Sequence, residues 1–168
     1  MRQSMIDDFW GDDEEDDDTQ KDKYLTFRLD VEDYGLEIMH VKEIISIQKI
    51  TDVPDLPDFV KGVINLRGQV IPTIDLRLRF GLPAKEYDER TCIIITHMND
   101  VPVGVIVDTV NEVLDIPPEM ITPPPSVQKG VAHRFILGLG RVGDDVKIIL
   151  NAEKLLHEDE LEALEQAH

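Results

Sequence analysis

Apolar and polar side chains start to alternate at Tyr24. In Tyr24-Leu25-Thr26-Phe27-Arg28-Leu29-Asp30, Leu25, Phe27 and Leu29 face one way and Thr26, Arg28 and Asp30 the other, which predicts a half-buried strand. Glu32-Asp33 is expected to turn the chain, with Tyr34-Gly35-Leu36-Glu37-Ile38 returning as the hairpin partner. Gly62-Val63-Ile64-Asn65-Leu66 and Val70-Ile71-Pro72-Thr73-Ile74 read as a second hairpin around Arg67-Gly68-Gln69, where Gly68 can take a positive φ. Thr91 to Met98, with Cys92, Ile93, Ile94 and Ile95, predicts a strand buried on both faces. Val101, Val103, Val105 and Val107 alternate along another strand after an Asn99-Asp100 turn. Phe135-Ile136-Leu137 and Val146 to Leu150 form a last pair around Gly143-Asp144-Asp145.

Many short strands separated by Pro and Gly indicate barrels or a sandwich rather than βαβ units. Helices are minor. Leu76 to Phe80 supports a turn or two, with Gly81 as a stop. Asn151 can cap a final helix carrying Leu155, Leu156, Leu161 and Leu164.

Charge changes the picture at the N-terminus. The net charge is −18, and nine acids with one base, Arg2, in residues 1–18 carry −8 of it. Residues 1–22 are therefore expected to be a disordered acidic tail, in which Phe9-Trp10 is an aromatic oddity. So acidic a chain repels phosphate backbones and anionic lipid headgroups, which argues against nucleic-acid binding and direct membrane contact. No stretch reaches the length of a membrane span, and the first residues lack the apolar core of a secretory signal. A single cysteine excludes an internal disulfide framework. A cytoplasmic protein is expected.

The search for chemistry returns little. Gly138-Leu139-Gly140-Arg141-Val142-Gly143 spells GxGxxG, but a dinucleotide site needs that string to open a helix, and here acids and a β-branched strand follow. Cys92 lies in an isoleucine run and reads as a small core residue. The five histidines have no metal-ligand spacing. Asp75 and Asp108 each follow an apolar strand, and surface turn or cap roles are expected of them. The residues point to no catalytic group, cofactor or metal; a non-catalytic interaction module is expected, with an enzyme the lesser alternative.

Several strings resemble the CheW family, the coupling proteins of bacterial chemotaxis. They are Tyr24-Leu25-Thr26-Phe27, Tyr34 to Ile38 with Val41-Lys42-Glu43-Ile44, Val53 to Gly68 with its Gly-Val-Ile-Asn-Leu-Arg-Gly stretch, Val70 to Arg77, and Val103 to Asp108. The resemblance covers Lys23 to Leu156, leaving residues 157–168 as a C-terminal helical segment. It implies an all-β fold of two intertwined five-stranded SH3-like β-barrels with a short C-terminal helix. It implies a scaffold between transmembrane chemoreceptors and the histidine kinase CheA, recruited to membrane-anchored receptor arrays, or a similar adaptor in another receptor pathway. The chain shows no kinase or phosphotransfer region and no receiver domain of the kind that marks the related CheV proteins.

The resemblance also assigns sites. The receptor's helical tip is expected in a groove between the barrels, at Val41, Glu43, Asn65 and Arg67. Val41 would be an apolar anchor. Arg67 would pair with a receptor carboxylate, or with Glu43 to fix the groove wall. The kinase's regulatory domain is expected at barrel ends, through Ile50-Thr51-Asp52 and through Pro125, Ser126 and Val127.

Overall fold

The computed structural model describes residues 20–98, 100–124 and 134–155. Eleven strands are described: β1 (Lys23–Leu29), β2 (Glu32–Glu37), β3 (Val41–Ser46), β4 (Val60–Leu66), β5 (Gln69–Asp75), β6 (Cys92–Met98), β7 (Val101–Val107), β8 (Thr109–Asp115), β9 (Ile121–Thr122), β10 (Ile136–Val142) and β11 (Asp145–Leu150). One helical turn, α1 (Leu76–Arg79), follows β5. The strands form a six-stranded sheet in the order β8-β1-β2-β11-β10-β9 and a five-stranded sheet in the order β3-β6-β7-β5-β4.

The two sheets are interlocked by the path of the chain. Strands β1 and β2 begin the six-stranded lobe, β3 to β7 build the other, and β8 to β11 return to complete the first. Each sheet contains one parallel pair, β2 with β11 and β5 with β7, where separated segments meet. The expected all-β class holds. The expectation of two five-stranded barrels is corrected in count and closure: one sheet has six strands, and the ladders end at β8 and β9 in one lobe and at β3 and β4 in the other.

Three apolar clusters explain the side-chain pattern. The largest draws Leu25, Phe27 and Leu36 from one sheet and Ile74, Ile94 and Val105 from the other. A second, with Ile64, Ile71, Ile93, Ile95 and Ile106, belongs to the five-stranded sheet. The third, with Tyr24, Ile116 and Ile149, belongs to the six-stranded lobe. Strand β6 therefore sends Cys92 and Ile94 into the shared core and Ile93 and Ile95 into its own lobe, so it reads as a continuous apolar run. Phe80, just after α1, lies 5.7 Å from Tyr34 and 5.5 Å from Phe135 between ring centroids, and so carries the five-stranded lobe into the other.

Several boundaries move. The first hairpin turns at Asp30-Val31, with Asp30 at φ 59, because Glu32 and Asp33 pair within β2. Strands β3, β8 and β9 are not apparent from the sequence pattern. Asp22 belongs to the folded part: its carbonyl accepts from the Ile116 N–H at 2.8 Å. Asn151 caps the turn Ala152–Lys154, its side chain accepting from the Glu153 N–H at 3.1 Å. Residues 1–19 and the expected helical segment 157–168 lie outside the described residues.

Candidate functional site

Strands β3 and β4 are the two edges of the five-stranded sheet, and the chain between them draws these edges together. Thr51 and Val63 exchange both backbone hydrogen bonds, at 2.8 and 2.9 Å. The Gln48 side-chain amide donates to the Asn65 carbonyl at 3.1 Å. Beyond them the tip of the β4–β5 hairpin reaches β3 through an ion pair. Arg67 Nη1 donates to Glu43 Oε1 at 2.7 Å and Nη2 to Oε2 at 2.8 Å. This fork-on-carboxylate geometry fixes orientation as well as distance. The hydrogen bonds from Arg67 hold the Glu43 carboxyl below its usual range, against a smaller upward push from burial.

The hairpin tip is prepared by its sequence. Leu66 pairs with Gln69, leaving a two-residue turn with Arg67 at φ 53 and Gly68 at φ 83. Positive φ at both positions matches the twist of the flanking strands. The Asn65 side chain accepts from the Gly68 N–H at 3.0 Å and caps the turn. Arg67 thus sits in a conformation unusual for a branched-free but bulky residue, at a spot that aims its guanidinium across the seam.

Three of the four expected receptor residues, Glu43, Asn65 and Arg67, converge here, between two edges of the five-stranded sheet rather than in the expected groove between the barrels. Val41 does not join them. It is 0% exposed and belongs to the shared core. The expected apolar anchor is corrected on that ground: exposing Val41 would require opening the core. The bulge at Lys42 turns the strand between Val41 and Glu43, so the two residues serve different surroundings. Instead Val70, the cross-strand partner of Asn65, presents an apolar side chain at 41% exposure. Nothing in the run Val70-Ile71-Pro72-Thr73-Ile74 sets it apart, because the residues from Ile71 onward are all buried.

Of the expected kinase residues, Ile50 is half-buried against the Ile64–Ile71 cluster, while Thr51 and Asp52 are exposed. Thr51 sits opposite Val63, about 7 Å along β4 from Asn65. The Ile50–Asp52 loop is therefore a neighbour of the Arg67 seam rather than a separate face. Pro125, Ser126 and Val127 lie outside the described residues.

The other residues singled out from the sequence have structural partners. Gly138 to Val142 lie within β10 rather than at the start of a helix. Asp75 caps α1 and accepts from the Tyr87 hydroxyl at 2.7 Å, but at 3% exposure it is buried, not at the surface. Cys92 is fully buried and donates to the Arg90 carbonyl at 3.3 Å. Asp108 is paired with Arg77 through two hydrogen bonds, at 2.8 and 2.9 Å. Among the described residues no helix is long and apolar enough to cross a membrane.

The CheW-like domain model matches residues 23–160. The chain belongs to the CheW-like family. It is 39% identical over 139 residues to the chemotaxis protein CheW of Klebsiella aerogenes, covering 83% of this chain and 84% of that protein. It is 41% identical over 109 residues to the chemotaxis protein CheW of Bacillus subtilis, covering 64% and 70%. Its fold matches the crystal structure of the scaffolding protein TtCheW from Thermoanaerobacter tengcongensis with a TM-score of 0.76 at 37% identity. That match covers 83% of this chain and 94% of the other.

Proposed function

We propose that this CheW-like protein is a non-catalytic scaffold that couples transmembrane chemoreceptors to the histidine kinase CheA in bacterial chemotaxis signalling. Its relatives are named chemotaxis proteins, and a similar solved structure is named a scaffolding protein. The observation that carries the site is the seam, where a charged clamp holds an exposed hairpin tip against β3. Both terminal nitrogens of Arg67 are engaged by Glu43, so Arg67 serves to hold the tip in place. Asn65 and Val70 then face the receptor's helical tip, Val70 supplying the apolar contact that helix-in-groove recognition requires. The Ile50–Asp52 loop offers a contact to the kinase's regulatory domain next to that seam.

Titration against a receptor cytoplasmic fragment and against the kinase's regulatory domain tests this. Arg67→Glu places two carboxylates face to face and releases the tip, and receptor affinity is expected to fall by roughly tenfold or more. Combining it with Glu43→Arg restores an ion pair of opposite polarity and most of the binding. Val70→Glu leaves the clamp intact and still weakens the receptor. Absence of receptor and kinase binding by the unmodified protein would sink the scaffold reading; failure of the charge swap to rescue would place Arg67 in direct contact with the receptor.

A further inference from the structure

The chain passes between the two lobes twice among the described residues. The first passage is the turn Ile38–His40 between β2 and β3. The second is a single residue, Asp108, between Val107 at the end of β7 and Thr109 at the start of β8. A one-residue passage between sheets is a natural hinge, because only its dihedrals separate two rigid ladders. Asp108 is instead gripped from both sides. Its N–H donates to the Arg28 carbonyl of β1 at 3.1 Å, and its Oδ2 accepts from the Asp30 N–H of the β1–β2 turn at 2.9 Å. From the other lobe, Arg77 of α1 donates to both carboxylate oxygens. The same guanidinium reaches Asp30 Oδ1 at 3.3 Å and, through Nη1, the Pro83 carbonyl at 2.8 Å. The side chains of Arg77 and Asp108 are 10% and 12% exposed, so water competes weakly for these bonds.

We infer that Arg77 is a positioning residue that pins the Asp108 crossover and so sets the angle between the two lobes. Apolar burial in the shared core is non-directional. A planar fork on a carboxylate is directional. The pin rests on geometry alone.

Spin labels at Leu137→Cys in β10 and Val70→Cys in β5 put one exposed probe on each lobe, away from the pin. Cys92 is fully buried and stays unlabelled. Pulsed dipolar spectroscopy on the free protein should give one narrow distance distribution. Arg77→Met with Asp108→Asn removes the pin without leaving a buried charge, and is expected to broaden that distribution while circular dichroism retains the sheet signal. Arg77→Lys keeps the charge but cannot hold both carboxylate oxygens and Pro83 together, and should give an intermediate width even if the double variant fails to fold. A wild-type width in either folded variant overturns the pin.

Discussion

A Cβ added at Gly62 would lie 2.1 Å from the Thr51 carbonyl oxygen and 2.8 Å from its carbon, on a backbone at φ 144. Both atoms belong to backbone, so neither can swing aside. This single position permits the crossing of the β3–β4 linker over β4, and with it the Thr51–Val63 exchange that brings the sheet edges together. Gly62→Ala is expected to cost at least about 2 kcal/mol, well beyond the ordinary loss of a surface glycine. Denaturant unfolding measures it, and a cost no larger than that of an alanine at the unobstructed Gly143 would show that the crossing relaxes. The sequence makes Gly62 visible as part of a turn-bounded strand, but not the approach of Thr51, which depends on a contact eleven residues away. Arg67 shows the same limit. Its turn is legible from Leu66-Arg67-Gly68-Gln69, and the resemblance offers Glu43 as one of two partners; that Glu43 is the one engaged depends on how far the sheet curls.

Among the elements, β6 and β7 pair through an uninterrupted ladder and lie close to where the sequence places them. Strand β10 runs on from the expected Phe135-Ile136-Leu137 to Val142, through glycines the sequence assigns to a turn and past a register shift against β11. Strand β3 is hidden in the sequence because Lys42 bulges out between Val41 and Glu43 and breaks the period of two. Strand β8 is hidden for a related reason. Asn111 and Glu112 together oppose Thr26 of β1, and β8 is an edge strand with one polar flank. The ladder is repaired there by a side chain: the Thr26 hydroxyl donates to the Glu112 carbonyl at 2.7 Å and accepts from the Glu112 N–H at 3.2 Å. Thr26 is 1% exposed on the face that its alternation with Leu25 and Phe27 assigns to polar residues. Thr26→Val keeps the shape and removes both bonds, leaving two backbone groups of β8 unsatisfied. The expected cost is about 1–3 kcal/mol, with the fastest loss of amide exchange protection along β8. Uniform loss of protection across both sheets would show that the bulge does not govern β8 locally.

At the scale of the whole molecule, net charge and local ion pairs act in opposite directions as pH falls. With a net charge of −18, protonating carboxylates relieves long-range repulsion and favours the compact state. Local pairs resist it. Burial pushes Asp33 upward, but hydrogen bonds from Lys147 and Arg28 outweigh it and hold the carboxyl below its usual range. Asp108 is also raised by burial and lowered overall by Arg77 and the Asp30 N–H. Glu43 is lowered by Arg67. A carboxylate whose folded pKa lies below its unfolded value binds fewer protons in the native state. Its contribution is fully present above the unfolded value, near 4, and is lost as pH falls through the folded one. His97 works in the same direction: burial first, then Lys42, hold its imidazole below the usual value, so its contribution starts to fade below about 6.5. The thermal midpoint is therefore expected to stay nearly flat from neutral pH down to about 6.5, to dip slightly, and to fall steeply only below about 4. Asp33→Asn should flatten part of the steep limb. The buried Lys147, 2.7 Å from Asp33, would then lack its charged partner, so the same variant should be less stable at neutral pH by about 1–3 kcal/mol. A midpoint that rises between pH 5 and 3 would show that relief of the overall negative charge outweighs the three local pairs.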